Sequence, residues 1–236
     1  MNNIANQEAQ SILLKVNFPV PPITNEEVQK ILDNKLVLDQ NWINWFEDFF
    51  GLPRVSFTKE LLNRFQEINT PETFMNVVPA IQKLLKPLKD SCKAYSLGLY
   101  SASITLSAVA AESLQILLWE MQEIKLHNKE MTKAQEKAIL GREFQKLEQS
   151  RRIAILDAIG GINSDQKILF HQIRDVRNRY LHSWDQNFDR EKEDALLCYQ
   201  RVFQLFREIT GVKLKDASSI EANPLLTKWM NKNITI

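Results

Sequence analysis

Apolar side chains recur at helical spacing along most of the chain, and no stretch shows the alternation expected of a half-buried strand. The clearest case is the segment 165–183, where Leu169, Ile173, Val176 and Tyr180 fall within about 60° of one another on a helical wheel. The chain has only 6 Gly and 8 Pro, so few positions interrupt a helix. We therefore predict an all-α fold built as a helical bundle.

Proline positions indicate how the chain is divided. Pro87 marks a predicted boundary between an N-terminal helical extension of unknown role, residues 1–87, and a helical bundle over residues 88–215. Residues 216–236 are predicted to form a C-terminal tail with one short helix that begins near Pro224.

Several helix ends are indicated by local sequence. Thr132 and Gln135 have the spacing of a capping box, which predicts a helix from there to about residue 149. Gly98 predicts a break in an otherwise helical stretch, and Gly211 predicts the end of the helix before it.

Charge and cysteine content narrow the class of function. A net charge of +1 argues against a protein that coats nucleic acid through a broad basic face, but it allows a local cleft lined by a few arginines. Cys92 and Cys198 have no metal-ligand spacing, and we expect buried, reduced thiols. The N-terminus lacks the pattern of a signal peptide, and polar residues interrupt the apolar stretch 104–119. We therefore expect a cytoplasmic protein that does not bind membranes.

One edge of the helix predicted for 165–183 carries side chains suited to phosphodiester chemistry. Asn178 and His182 are four residues apart and so are neighbours on a helix, and the long Arg177 side chain can swing toward the imidazole. Histidine can accept or donate a proton near neutral pH, and arginine can stabilise charge on phosphoryl oxygens. The amide of Asn178 can orient the ring or hold a phosphate oxygen. Because RNA supplies its own 2′-hydroxyl nucleophile, the pattern favours RNA cleavage without a metal ion.

This pattern resembles the signature of the HEPN superfamily, in which an arginine, usually followed by a polar residue, precedes a histidine by four to six intervening residues. Residues 177–182, RNRYLH in one-letter code, match it with four intervening residues. The run 94–104, which leads into 110–114, is similar to the first helical pair of many HEPN-like sequences. The resemblance covers roughly residues 88–210.

The resemblance implies a bundle of four or five helices that dimerises, with the motif helices of two subunits facing each other across a composite cleft. It also implies a metal-independent endoribonuclease without a cofactor, whose catalytic residues would be Arg177, His182 and Asn178. Many members act in toxin–antitoxin, abortive-infection and other defence systems, so RNA and an antitoxin or defence-system protein are the expected partners. Toxins paired with nucleotidyltransferases often carry a tyrosine two residues after the histidine. Trp184 stands there in this chain, which places control by adenylylation in doubt.

Three further charged residues are candidates for the site. Glu112 interrupts an apolar helix and needs a partner, so it either orients Arg177 or His182 across the bundle or forms a plain structural salt bridge. Arg174 and Arg179 either contact RNA phosphates or are solvated or paired charges.

Three hypotheses for function remain open: a metal-independent endoribonuclease, a catalytically inactive HEPN-like module that dimerises or binds RNA or a nucleotide, and a helical scaffold in which the motif is a coincidence. We favour the first. The aromatic residues between Trp42 and Phe50 are assigned to the core, His171 to the surface, and Gly160 and Gly161 to a turn. No group of residues has metal-ligand spacing.

Overall fold

The computed structural model describes residues 14–15, 59–68, 79–126, 128–182, 189–216 and 219–233, and these are mostly helical. The described helices, in chain order, are α1 (Lys59–Ile68), α2 (Pro79–Ser96), α3 (Tyr100–Met121), α4 (Lys133–Leu140), α5 (Gln149–Ala158), α6 (Ser164–His182), α7 (Glu191–Thr210) and α8 (Pro224–Asn233). A short 3₁₀ helix, Phe144–Lys146, precedes α5. The predicted all-α class is confirmed, as is the short helix in the C-terminal tail. The aromatic residues between Trp42 and Phe50, which were assigned to the core, lie outside the described residues.

Short strands accompany the helices. They are β1 (Leu14–Lys15), β2 (Lys125–Leu126), β3 (Lys129–Glu130), β4 (Lys213–Asp216) and β5 (Ser219–Glu221). The strands β2 and β3 pair antiparallel, and β5 pairs antiparallel with both β1 and β4. None of these strands was predicted, because runs of two to four residues are too short to show alternation.

Helix α3 is the centre of the bundle and packs against α2, α5, α6 and α7. Ile104, Ala108, Ala111 and Leu114 form a fully buried stripe along it. Within the part of the chain that the structure describes, α3 is the one helix long and apolar enough to cross a membrane. However, 56% of its apolar stretch is buried inside the protein, as in the core helix of a soluble domain.

Helix α2 runs through Pro87, so the predicted domain boundary falls inside a helix. Leu85, Leu88, Cys92 and Tyr95 are at most 1% exposed and follow one another at spacings of three or four residues. This continuous apolar stripe keeps α2 helical past a residue that cannot donate a backbone hydrogen bond. The core residues of α1 belong to the same hydrophobic cluster as those of the bundle.

Two glycines set helix ends as local sequence predicted, and a third shortens a helix. Gly98 adopts φ 79° between α2 and α3, and Gly211 caps α7 with φ 59°. The capping box of Thr132 and Gln135 is present at the start of α4. Gly141, at φ 80°, ends α4 at Leu140, so the predicted extension to residue 149 was wrong.

Helix α6 lies against α3, α5 and α7. Its predicted apolar stripe is confirmed: Ile173 and Val176 are buried, and Leu169 and Tyr180 are partly buried against the same core. Phe170, which the wheel did not include, is fully buried as well. The stripe fixes which edge of α6 faces α3, and that edge carries Arg177.

The two cysteines are buried and free, as predicted. Burial raises the pKa of Cys92 to about 12, although a hydrogen bond with Ser96 acts in the opposite direction. Burial likewise raises the pKa of Cys198 to about 12. Both thiols are therefore neutral and unreactive in the folded chain.

Candidate active site

Arg177 leaves the buried stripe of α6 and reaches across to α3. Its Nη1 donates a hydrogen bond to Glu112 Oε1 at 2.5 Å, which joins residues 65 positions apart in the chain. The Arg177 side chain is 22% exposed and that of Glu112 is 31% exposed. The ion pair thus lies at the rim of the core, where water reaches part of each side chain but screens the attraction less than at the surface.

The second oxygen of Glu112 is bound by another arginine. Arg152, on α5, donates from Nη2 to Glu112 Oε2 at 2.7 Å, and its side chain is only 4% exposed. One carboxylate from α3 is therefore held between guanidinium groups from α5 and α6. The sequence predicted that Glu112 either orients Arg177 or His182 or forms a plain structural salt bridge, and Arg152 was not predicted as a partner.

Asn178 orients the other side of the Arg177 guanidinium. Its Oδ1 accepts hydrogen bonds from Arg177 Nε at 3.3 Å and from Nη2 at 3.0 Å. A guanidinium has five N–H groups, so Glu112 and Asn178 together engage three of those of Arg177. The other two have no acceptor among the described residues. The amide oxygen of Asn178 is thus used to fix Arg177.

His182 is the last residue of α6, and its side chain lies outside the described part of the chain. Its backbone stands five residues beyond Arg177, which is about 7.5 Å along the helix axis. The helix continues without interruption from Arg177 through Asn178 to His182. The catalytic role of the imidazole stays a prediction.

The other arginines of α6 each have an acidic neighbour. Arg174 donates from Nε and Nη2 to Oδ1 of the next residue, Asp175, at 3.1 and 2.8 Å. Arg179 donates from Nη1 to Asp194 Oδ2 on α7 at 3.0 Å, yet 45% of its side chain is exposed. Contacts of Arg174 and Arg179 with RNA stay predictions.

Asp194 also anchors α6 through Tyr180, whose hydroxyl donates to Asp194 Oδ2 at 2.9 Å. Burial and this hydrogen bond to a carboxylate raise the pKa of Tyr180 well above its ordinary value. Asp194 is itself buried, and its two hydrogen bonds with α6 stabilise its charge. α6 is therefore held on α3 by Arg177 and on α7 by Arg179 and Tyr180.

Buried polar side chains lie one helical turn from Glu112 and from Arg152, at Gln115 on α3 and at Gln149 on α5. The side-chain amides of Gln115 and Gln149, and Nε of Arg152, have no hydrogen-bond partner among the described residues. Gln149 and Arg152 share a helical face with Ile153 and Leu156, which are fully buried. Polar residues on that face were the sequence feature that could have identified Arg152.

The candidate site lies at a partly exposed edge between α3 and α6. Two cavities, of about 610 and 250 Å³, lie elsewhere, the first between α1 and α7 and the second beside α8. Arg177, Asn178 and Glu112 line neither of them. Among the described residues, no group of three or more His, Cys, Asp or Glu side chains is placed to hold a metal ion.

Comparison of the chain with known protein families, with curated proteins and with solved structures finds no match. The resemblance to the HEPN superfamily therefore depends on the motif at residues 177–182 and on the helical run 94–114 of this sequence.

Proposed function

We propose that the protein is a metal-independent endoribonuclease of HEPN type, and that Arg177, Asn178 and His182 form its catalytic site. The observation that carries the proposal is the fixed orientation of Arg177. Glu112 and Asn178 hold its guanidinium at a partly exposed edge and leave two N–H groups for a phosphoryl oxygen. A preorganised donor of this kind stabilises charge that develops in a transition state.

The proposed reaction uses the RNA's own 2′-hydroxyl. Its proton passes to an imidazole as the 2′-oxygen forms a bond to phosphorus, and the bond from phosphorus to the 5′-oxygen breaks. A second proton, from an imidazolium, reaches the departing 5′-oxygen. Arg177 stabilises the extra negative charge on the pentacovalent phosphorane. The products are a 2′,3′-cyclic phosphate and a 5′-hydroxyl. His182 of one or both subunits supplies the imidazole. A single histidine can serve both steps, because it becomes the imidazolium when it accepts the first proton.

A homodimer fits the partly exposed position of the site. Val109 and Leu181 are 45% and 51% exposed, large for apolar side chains. Val109 lies one helical turn before Glu112, and Leu181 lies one turn after Arg177, so each flanks a member of the ion pair. Exposed apolar residues beside a sparse polar edge fit an interface that a second subunit covers. The proposed setting is a toxin–antitoxin or anti-phage system in the cytoplasm, with an antitoxin or defence-system partner.

One observation favours a second candidate, the catalytically inactive HEPN-like module that dimerises and binds RNA or a nucleotide. The Arg177 guanidinium already has a carboxylate partner at 2.5 Å, so part of its charge is neutralised before any RNA arrives. In this alternative Arg177 and Glu112 only join α6 to α3.

An RNA cleavage assay distinguishes the two candidates. Purified wild-type protein and the variant His182→Ala are incubated with mixed cellular RNA in EDTA, with His171→Ala as a matched control on the same helix. We expect wild type and the control to cut, and His182→Ala to lose activity by about 100-fold or more without a change in melting temperature. The products should carry 5′-hydroxyl ends, and replacing the scissile ribose by deoxyribose should abolish cleavage.

Three results would contradict the proposal. The first is cleavage of the deoxy-substituted strand, and the second is a set of 5′-phosphate products that require Mg²⁺. The third is an active His182→Ala variant. RNA binding without cleavage by the wild-type protein would instead support the inactive module.

A further inference from the structure

We infer that Arg152 is a positioning residue of the candidate site, which acts through Glu112 on Arg177; the inference rests on the proposed function. Arg152 lies on α5, 40 residues from Glu112 in the chain, and binds the carboxylate oxygen that Arg177 does not use. Because each oxygen has its own guanidinium partner, rotation of the carboxylate would break both hydrogen bonds. Arg152 thereby fixes the plane of the group that aims Arg177.

Arg152 also sets the charge of the site. Glu112 and Arg177 alone would form a neutral pair, with little attraction for a phosphodiester. With Arg152, the three side chains carry a net charge of +1. The Arg152 side chain is 4% exposed, so water screens its charge weakly and part of its field reaches the Arg177 edge. The buried arginine thus offsets the carboxylate and leaves Arg177 able to attract an anion.

The burial of Arg152 favours this role over simple stabilisation. Its side chain is 4% exposed and lies on the helical face of α5 that also carries the fully buried Ile153 and Leu156. An apolar residue of similar size would pack there without the cost of burying a charge. The need to hold Glu112 explains why an arginine occupies this position.

The first measurement is independent of catalysis. The ¹H–¹⁵N signal of the Arg177 Nε–H group is assigned by its loss in Arg177→Lys, and is then compared between wild type, Arg152→Met and Arg152→Lys. We expect Arg152→Met to shift this signal and to raise the rate at which the Arg177 Nε proton exchanges with water by about ten-fold, because Glu112 is no longer fixed. Arg152→Lys keeps the charge, so its signal position and exchange rate should lie between those of the wild type and Arg152→Met. Arg151→Met, at the exposed neighbouring position on α5, should leave the signal unchanged.

The second measurement is RNA cleavage by the same variants. Arg152→Met should lower kcat by about ten- to hundred-fold, and Arg152→Lys should recover part of the loss. An unchanged Arg177 signal in a folded Arg152→Met protein would overturn the inference whether or not the protein cuts RNA. A fall in the activity of Arg152→Met that is fully accounted for by a smaller fraction of folded protein would also overturn the inference. If Arg152→Met shifts the Arg177 signal as expected but the wild-type protein cuts no RNA, the proposed function fails and the positioning of Arg177 by Arg152 stands. Arg152→Gln replaces Arg152→Met in the same comparison if the latter does not fold.

Discussion

Replacing Glu112 by alanine tests the central ion-pair network. The change removes two charge-assisted hydrogen bonds, of 2.5 and 2.7 Å, and leaves Arg152 as a buried guanidinium without its carboxylate. Breaking a buried ion pair costs about 3–5 kcal/mol. Because 31% of the Glu112 side chain is exposed, water can partly replace the lost carboxylate. We therefore expect the free energy of unfolding to fall by about 3 kcal/mol, the lower end of that range.

The assay is urea unfolding followed by far-ultraviolet circular dichroism, with Glu130→Ala as the matched control. Glu130 also pairs with a cation, Lys232, but the side chains are 58% and 47% exposed, so its loss should cost less than about 1 kcal/mol. The double variant Glu112→Leu with Arg152→Met removes both the carboxylate and the more deeply buried of its two guanidinium partners. Its loss of stability should be smaller than the sum of the losses measured for Glu112→Leu alone and Arg152→Met alone. Equal losses for Glu112→Ala and Glu130→Ala, or additive losses in the double variant, would refute the reasoning.

Two further predictions concern assembly and pH. Leu181→Glu should convert the dimer to a monomer in light scattering at micromolar concentration, whereas Ile139→Glu, at a position on α4 that is 59% exposed, should not; a wild-type monomer would contradict the proposed assembly. Burial raises the pKa of Cys92 and Cys198 to about 12, so their contribution to stability is fully present below the pKa of an unfolded thiol, about 8.5, and is lost as pH rises from there toward 12. The melting temperature of the wild type should fall over that window. The fall, measured from the value of each protein at neutral pH, should be smaller for Cys92→Ala. Equal falls for the wild type and Cys92→Ala would contradict the assignment.

Local sequence predicted those parts of the fold that local interactions determine. The stripe of α6 follows from a period of 3.6 residues, and the start of α4 follows from the capping box of Thr132 and Gln135. The errors arise where two local rules compete. Pro87 is a helix breaker by itself, but the apolar stripe around it outweighs the lost hydrogen bond. Gly141 ends α4 although the residues after it also favour a helix.

Within the candidate site, the contacts between neighbouring residues could be predicted from sequence, whereas those between distant helices could not. Arg177 and Asn178 are adjacent, so their hydrogen bond needs only a helix, and the sequence placed them together. That Glu112 needs a partner follows from its position in an apolar helix, but a choice of partner 65 residues away depends on how three helices pack. Arg152 was missed for this reason: polar residues on the buried face of α5 indicate that Arg152 needs a partner, but not that this partner is a carboxylate of α3.

The clamping of α6 on both sides leads to a prediction about which subunit supplies each catalytic group. At 100° per residue, Arg177 and Arg179 point about 160° apart, and they bind α3 and α7 respectively, so α6 cannot rotate about its axis. On an ideal helical wheel, position 182 lies about 60° from position 179 but about 140° from position 177. We therefore expect the imidazole of one subunit to act with the Arg177 of the other. Mixed dimers of a His182→Ala subunit and an Arg177→Ala subunit, isolated by two affinity tags, contain one complete pair in this arrangement and should recover about half of the wild-type rate. If both groups act within one subunit, the mixed dimer contains no complete pair and remains as inactive as either parent, and the composite cleft is then wrong.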